Sequence, residues 1–157
     1  MTRIGIGYDV HRLVPGRPLK LGGVTIPFER GLLGHSDADA VLHALCDALL
    51  GAAGQPDIGE LFPDTAPEWK DADSRRFVRE ALERVLNAGY TVANVDLIIH
   101  AQQPRLGAYK EQIRAAVAQL VRVPRDAVGV KATTNEGLDA IGRGEAVACW
   151  AAVLVQR

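Results

Sequence analysis

Three residues in the first third of the chain have the side-chain chemistry of metal ligands: Asp9, His11 and His43. Side chains alternate along an extended segment, so Asp9 and His11 would project from the same face and could reach one ion. His43 would add a second imidazole from a stretch with helical spacing. A carboxylate and two imidazoles, with a fourth position open to substrate, form a ligand set typical of catalytic zinc. Each residue also has an ordinary explanation, as a strand end or a hydrogen-bonded helix histidine.

The residues around His43 have an unusual polar composition. The range 31–59 contains no Lys, Arg or Glu, although solvent-facing helices normally carry them. Asp39 and Asp47 lie one turn on either side of His43, where they could orient its ring from outside the ligand set. The alternative is an ordinary solvent-exposed helix face. The other polar residues of this range that could take part in chemistry are His35, Ser36, Asp37 and Asp57.

A second polar group follows a short apolar segment near the end of the chain, at 131–137. The hydroxyls of Thr133 and Thr134 and the carboxylate of Glu136 could together hold phosphate oxygens and a magnesium ion. The alternative is a threonine-rich strand end with a capping glutamate. Arg143, between two glycines, could contact an anion or simply belong to a turn.

Several common catalytic motifs are excluded. Gly5-x-Gly7 resembles part of a dinucleotide fingerprint, but Pro15, Gly16 and Pro18 follow where the helix of that motif should begin. There is no Walker lysine in a glycine loop, and neither serine of the chain lies in a G-x-S-x-G motif. The chain therefore offers little support for a covalent hydrolase.

Hydrophobic periodicity predicts the elements that position these residues. Strands are expected at 3–9, 92–101, 128–133 and 146–155, and a hairpin at 19–27 turning on Gly22-Gly23. Helices are expected at 38–53, at 74–89 with Ser74 as N-cap, and at 106–121, and a loop at 55–70. This order predicts an α+β fold, a single-domain sandwich over 1–157 with helices packed on one face of a mixed β-sheet.

Composition narrows the class of protein. The chain has 157 residues and a formal net charge of −1, so it has no basic field to attract nucleic acid or anionic lipid. Its two cysteines, Cys46 and Cys149, are far apart and are expected to be free thiols in a reducing cytoplasm. The longest apolar run, 146–155, is too short to cross a bilayer. A cytoplasmic protein without a nucleic-acid or membrane partner is expected.

Short motifs in this order resemble those of the 2-C-methyl-D-erythritol 2,4-cyclodiphosphate synthase family over essentially the whole chain. The first are Gly7-Tyr8-Asp9-Val10-His11, His35-Ser36-Asp37-Ala38-Asp39, His43-Ala44, the run from Asp47 to Ala52, and Asp57-Ile58-Gly59. The others are Phe62-Pro63-Asp64-Thr65, Ala72-Asp73-Ser74, Asn94-Val95-Asp96, Ala101-Gln102, Lys131-Ala132-Thr133-Thr134 and Gly142-Arg143-Gly144-Glu145.

The resemblance implies a homotrimer with active sites between adjacent subunits, isoprenoid biosynthesis by the methylerythritol phosphate pathway, and a cytidine diphosphate substrate. It implies Zn²⁺ at Asp9, His11 and His43, Mg²⁺ or Mn²⁺ at Glu136 beside the diphosphate, and catalytic roles for His35 and Thr134. It places Asp9, Val10, His11, His35, Ser36, Asp57, Ile58, Gly59, Phe62, Pro63, Asp64, Thr65 and Ala66 at the erythritol and 2-phosphate. It places Ala101, Gln102, Gln103, Pro104, Arg105, Leu106, Gly107, Ala132, Thr133, Thr134, Asn135, Glu136 and Arg143 at the cytidine and its phosphates.

Two other functions remain open at this level. One is a metal-dependent phosphohydrolase that uses metal-bound water on a nucleotide, which would release an opened phosphate rather than a cyclic product. The other is a non-enzymatic trimer that binds a metal or an isoprenoid.

Overall fold

A five-stranded mixed β-sheet forms one layer of the protein in the computed structural model, which describes residues 1–157. The strands are β1 (Thr2–Pro15), β2 (Leu19–Leu21), β3 (Val24–Ile26), β4 (Arg30–Leu32), β5 (Thr91–His100), β6 (Val128–Thr133) and β7 (Ala146–Gln156). The sheet order is β4-β1-β7-β5-β6, in which only the β5–β6 pair is parallel. β2 and β3 form a separate hairpin whose turn residues, Gly22 and Gly23, both have positive φ.

The second layer consists of helices on one face of this sheet. They are α1 (Ala40–Ala53), α2 (Ile58–Leu61), α3 (Arg75–Asn87) and α4 (Lys110–Val121), with 3₁₀ turns at Pro67–Trp69, Gly107–Tyr109 and Arg125–Ala127. The short helix α5 (Asp139–Gly142) lies on the other face, where Ile141 packs against Ala146 and Ala148 of β7. α1 packs on β1 and β7, α3 packs on α1, and α4 packs on β6. The predicted α+β architecture, with a mixed sheet and helices on one face, is confirmed.

Alternation along the strands and helical periodicity account for the core. On β5, Val95, Leu97 and Ile99 are buried while the residues between them are not. α3 buries Phe77, Val78, Ala81, Leu82 and Val85 as a single stripe. Each fully buried Val, Leu, Ile or Phe side chain contributes roughly 1.5–3 kcal/mol to the free energy of unfolding, so these buried stripes fix where each helix lies.

Gly5 and Gly7 allow α1 to lie directly on β1. A Cβ added to Gly5 would be 1.8 Å from the carbonyl oxygen of Ala48, and one added to Gly7 would be 1.9 Å from that of Ala44. Both are overlaps with backbone atoms that no side chain could tolerate. The Gly-x-Gly sequence therefore serves close helix packing, in agreement with the exclusion of a dinucleotide fingerprint.

Several elements differ from the sequence prediction. β1 continues to Pro15, because it pairs with β7 through Arg12 and its last residues pair with β4. The predicted loop at 55–70 contains α2 and a 3₁₀ turn, and β4 and α5, only three and four residues long, were not predicted. None of the helices combines the length and the hydropathy that crossing a membrane requires.

Candidate active site

The three predicted metal ligands converge where β1 passes the first turn of α1. The Nδ1 atom of His11 lies 2.8 Å from the Oδ2 atom of Asp9, and the Nδ1 atom of His43 lies 3.3 Å from that same oxygen. One ligand atom from each residue lies within 4.8 Å of the other two. The alternation of β1 gives Asp9 and His11 the same face as Gly5 and Gly7, and the close approach of α1 brings His43 to them.

The donor set fits a divalent cation. Although Asp9 and His11 are close, their geometry does not form a hydrogen bond, and both Oδ2 and Nδ1 are buried without a hydrogen-bond partner. Buried polar atoms are nearly always paired, so unpaired atoms that converge on one point are consistent with a metal site. One carboxylate and two imidazoles match the ligand preference of zinc and related ions.

The carboxylate and the imidazoles of this cluster also stabilise one another's charged forms. Burial raises the pKa of Asp9, but the His11 and His43 imidazoles lower it more, so the pKa lies below its usual value. Burial lowers the pKa of His43, but the negative charge of the nearby Asp9 carboxylate outweighs burial, so the pKa lies above its usual value. Without a cation the cluster therefore attracts a proton, and a cation binding there would displace it.

The two aspartates predicted to orient His43 do not contact its ring, so that prediction is wrong. Asp39 is fully buried as the N-cap of α1 and accepts hydrogen bonds from the backbone N–H groups of Gly22, Gly23 and Leu42. Burial raises the pKa of Asp39 to about 6. Asp47 accepts a hydrogen bond of 2.8 Å from the N–H of Ile58 and so ties α2 to α1.

Ser74, rather than either of those aspartates, contacts the ring of His43. Ser74 is the N-cap residue of α3, as predicted, but its side chain makes no capping hydrogen bond. Its Oγ atom lies 2.9 Å from the Nε2 atom of His43 and donates a hydrogen bond to Asp37. Ser36 Oγ lies 3.1 Å from the same His43 nitrogen. Ser74 and Asp37 are thus part of the site, although their spacing in the sequence gave no signal of it.

The cluster forms one wall of a cavity of about 360 Å³. The lining residues are Asp9, His11, Gly34, His35, Ser36, His43, Ile58, Gly59, Phe62, Pro63, Asp64, Trp69 and Phe77. Most residues predicted for the erythritol side are therefore brought together. Of the rest, Asp57 caps α2 through the N–H of Glu60, and the carbonyl oxygen of Ala66 lies 3.0 Å from His35 Nε2. The side chain of Val10 lies on the opposite face of the sheet from Asp9 and His11.

A second cavity, of about 280 Å³, lies beyond the carboxyl ends of the parallel strands β5 and β6. Its lining is Ala101, Gln102, Pro104, Arg105, Leu106, Gly107, Lys110, Ala132, Thr133 and Thr134. Nine of these ten residues were predicted on the cytidine side, and Lys110 was not. Gln103 lines an adjoining groove beside Phe28.

The remaining predicted residues lie at the rim of this second cavity or beyond it. Glu136 is exposed, has a φ of 53°, and its N–H donates to the Thr134 hydroxyl. The side-chain oxygen of Asn135 accepts a hydrogen bond of 2.9 Å from His100 Nδ1, and its side-chain nitrogen donates to Asp139. The guanidinium of Arg143 forms an ion pair of 3.0 Å with Glu145.

The two cavities of one chain have no lining residue in common. Asp9 pairs with Cys149, Cys149 with Ile99, and Ile99 with Ala132, so the two groups lie in one row across four strands. Three inter-strand spacings separate Asp9 from Ala132, which is about 14 Å. Each chain therefore presents two separate cavities at the same end of its sheet.

Comparisons with known proteins agree along the whole chain. The YgbB family profile matches residues 2–156. The 2-C-methyl-D-erythritol 2,4-cyclodiphosphate synthase of Salinibacter ruber is 55% identical, with 98% of each chain covered. The enzyme of that name from Paraburkholderia phymatum is 57% identical over 99% of this chain and 98% of its own. A solved structure of a synthase of that name with CDP bound superposes with a TM-score of 0.91 at 44% identity, covering 98% of this chain and 100% of that one.

These relatives confirm the resemblance identified from the short motifs. The matched residues run from the first strand to the last and so include the segments that line both cavities. The chain belongs to the YgbB family, which includes these cyclodiphosphate synthases.

Proposed function

We propose that this protein converts 4-diphosphocytidyl-2-C-methyl-D-erythritol 2-phosphate to 2-C-methyl-D-erythritol 2,4-cyclodiphosphate and releases CMP. The observation that carries the proposal is the convergence of Asp9, His11 and His43 in the wall of a cavity, in a full-length relative of enzymes with this name. The reaction is a step of the methylerythritol phosphate pathway of isoprenoid biosynthesis.

The proposed reaction needs no nucleophile from the protein. An oxygen of the substrate's 2-phosphate forms a bond to the β-phosphorus, and the bond from that phosphorus to the bridging oxygen breaks, so CMP leaves with the electron pair. A phosphate nucleophile is already ionised near neutral pH. This agrees with the position of the two cysteines, which line neither cavity and whose burial raises the pKa of both thiols.

Such a transfer depends on alignment and on neutralising charge. Asp9, His11 and His43 would hold Zn²⁺, and Glu136 would help hold Mg²⁺ or Mn²⁺. When bound, these cations supply charge neutralisation at the phosphate oxygens. The protein's own task is then to hold both ends of the substrate in line.

His35 and Ser36 are proposed to hold the 2-phosphate and the erythritol. A carbonyl oxygen can only accept, so the contact of His35 Nε2 with Ala66 places a proton on Nε2. To donate a hydrogen bond to the transferring phosphate, His35 would need a second proton, on Nδ1. Ile58, Gly59 and the segment Phe62–Ala66 would close this side.

The second cavity is proposed to hold the cytidine. Backbone groups of 101–107 and Ala132 would enclose the base, and Thr133 and Thr134 would contact the phosphates, with Thr134 stabilising the transition state. Asn135 would support this loop. Arg143 would add positive charge nearby. The proposal is supported by the superposition with a relative solved with CDP bound.

We infer that each complete site joins the first cavity of one subunit to the second cavity of its neighbour in a homotrimer. Two half-sites about 14 Å apart in one chain support this arrangement. The sheet face opposite the helices supports it too, because it carries exposed apolar side chains. The most exposed of them are Ile4 (65%), Ile6 (63%) and Trp150 (47%). Apolar patches of this kind commonly form subunit interfaces.

Two broader proposals complete the assignment. Residues 1–157 would form one catalytic domain, supported by a core cluster of 39 buried residues drawn from both layers. The enzyme would work in a reducing compartment, the cytoplasm, which is supported by two buried free thiols at Cys46 and Cys149.

The reaction is tested by incubating the protein with the cytidyl substrate, zinc and magnesium and identifying products by phosphorus NMR. We expect CMP and a cyclic diphosphate in equal amounts. His43→Ala should lose the zinc and nearly all turnover, because one of three protein ligands is removed. CMP with an opened phosphate would instead indicate the nucleotide phosphohydrolase, and full zinc content in His43→Ala would contradict the metal assignment.

A further inference from the structure

A line of hydrogen bonds leads from His43 away from the metal cluster and into the protein. The Nε2 atom of His43, on the far side of the ring from Asp9, lies 2.9 Å from Ser74 Oγ. Ser74 is fully buried, and its hydroxyl donates to Asp37. Asp37 also accepts from the backbone N–H of Ser74, at 3.1 Å, and from that of Asp39, at 3.2 Å. Asp37 is thus held in place from two segments of the chain.

Counting protons along this line fixes the state of the imidazole. A carboxylate can only accept, and a serine hydroxyl has one proton. Because Ser74 gives that proton to Asp37, it can offer His43 only a lone pair. Ser36 Oγ, which accepts the N–H of Ala38, keeps a second lone pair and lies farther from this nitrogen, at 3.1 Å, where it can be a second acceptor for the same ring proton. The proton between Ser74 and His43 must therefore be on Nε2.

The opposite nitrogen is the one that faces the metal cluster. His43 Nδ1 lies 3.3 Å from Asp9 Oδ2. An imidazole that carries one proton on Nε2 has its lone pair on Nδ1, which is the form that binds a cation. His11 has no hydrogen bond at its Nε2 atom, so the two imidazoles of the cluster are held differently.

We propose that Asp37, acting through Ser74, is a positioning pair that keeps His43 in its Nε2–H form and so prepares Nδ1 to bind metal. This inference rests on the proposed metal site. Asp37 is neither a member of the cluster nor one of the residues that line the cavity, and its hydrogen bond toward His43 passes through the Ser74 hydroxyl. If this hydroxyl were released from Asp37, it could turn and donate to Nε2, which would place the ring proton on Nδ1 and oppose metal binding.

The test is a double-mutant cycle on the zinc dissociation constant, measured by competition with a chelator. Asp37→Asn, Asp37→Ala and Ser74→Ala should each weaken zinc binding by about 10-fold or more, the size of effect that outer partners of ligating histidines have. In the Ser74→Ala background, either change at Asp37 should weaken binding little further, because the path from Asp37 to His43 is already broken.

Asp73→Asn provides the matched control. Asp73 is next to Ser74 in the chain, but its carboxylate pairs with Arg75 at the surface. The substitution removes the same charge without touching His43 and should leave zinc affinity unchanged. Circular dichroism and thermal unfolding of each metal-free variant show whether the fold is intact.

Two outcomes distinguish a failure of the positioning role from a failure of the proposed metal site. If the wild-type protein binds zinc but the losses at Asp37 and Ser74 simply multiply in the double variants, the positioning pair is overturned. Asp37 would then act by charge or by local structure alone. A wild-type protein that binds no zinc would reject the proposed metal site and the positioning role with it.

Discussion

The side chains that are proposed to neutralise the charge of the diphosphate substrate form two separate groups. Asp9, His11 and His43 form a compact set whose ligand atoms lie within 4.8 Å of one another, whereas Thr134 and Glu136 lie in an exposed segment after β6. Hydroxyl and carboxylate oxygens suit a hard cation such as Mg²⁺ better than they suit zinc. The two groups would therefore take different ions and act on different phosphates.

Glu136→Gln tests this division at the residue scale. The amide cannot neutralise a hard cation, so turnover should fall by about 100-fold or more, while zinc content and thermal stability stay at wild-type values. The measurement is the rate of CMP release over a magnesium titration. Glu111→Gln, an exposed change on α4, provides the control and should leave the rate unaltered. Near-normal turnover of Glu136→Gln at limiting magnesium would show that Glu136 does not help to bind the cation.

The predictability of single residues depended on the distance over which they interact. Asp9 and His11 could be paired from strand alternation alone. Asp37 and Ser74 could not, because a hydrogen bond across 37 positions of sequence leaves no periodic pattern. Ser74 was assigned to the helix end that it precedes, which is the usual task of a serine there, but its hydroxyl is used by Asp37 and His43.

The contact between α1 and β1 is the element-scale feature that assembles the metal cluster. β1 supplies two ligands and α1 supplies the third, so the separation of their backbones sets the distance between imidazoles. Gly5 and Gly7 make that separation small, and the alanines of α1 provide a flat surface against them. Any side chain at these glycines would push the helix outward.

Gly7→Ala is the corresponding variant. The new Cβ would overlap the carbonyl oxygen of Ala44, next to His43, so α1 must shift. We expect a loss of about 1–3 kcal/mol in the free energy of unfolding of the metal-free protein, measured by chemical denaturation, and weaker zinc binding. Gly51→Ala is the control, because its Cβ would meet only Gly5 Cα at 3.9 Å. If Gly7→Ala is destabilised but binds zinc with unchanged affinity, the packing of α1 on β1 does not set the positions of the ligands, which would contradict this account.

Long periodic elements were predictable, and short ones defined by pairing were not. The helices at 40–53, 75–87 and 110–121 and the strands β5, β6 and β7 follow their hydrophobic patterns. β4 is three residues long and exists because β1 continues far enough to pair with it. α2 lies in a proline-rich segment and is capped by Asp57 and joined to α1 through Asp47, which are contacts that local sequence does not announce.

At the scale of the whole molecule, the proposed trimer explains two features that a monomer leaves without purpose. One is the apolar sheet face of Ile4, Ile6 and Trp150. The other is the pair of separate half-sites, each of which holds only part of the required chemistry. Cyclic symmetry would bring the first cavity of each subunit to the second cavity of the next and produce equivalent sites.

Subunit mixing tests this shared site most directly. His43→Ala spoils the metal half, and Thr133→Ala combined with Glu136→Ala spoils the nucleotide half, so each protein alone should be nearly inactive. The two proteins are unfolded, mixed in equal amounts and reassembled, and mixed trimers are verified by native mass spectrometry with one partner isotope-labelled. The rate of CMP release is then compared with that of wild-type protein treated in the same way.

Random assembly gives each interface an intact metal half about half the time and, independently, an intact nucleotide half about half the time. The shared site therefore predicts that roughly one quarter of wild-type activity returns in the mixture. A site built within a single chain can never regain both halves, because every chain carries one defect. Verified mixed trimers that remain inactive would contradict the shared active site.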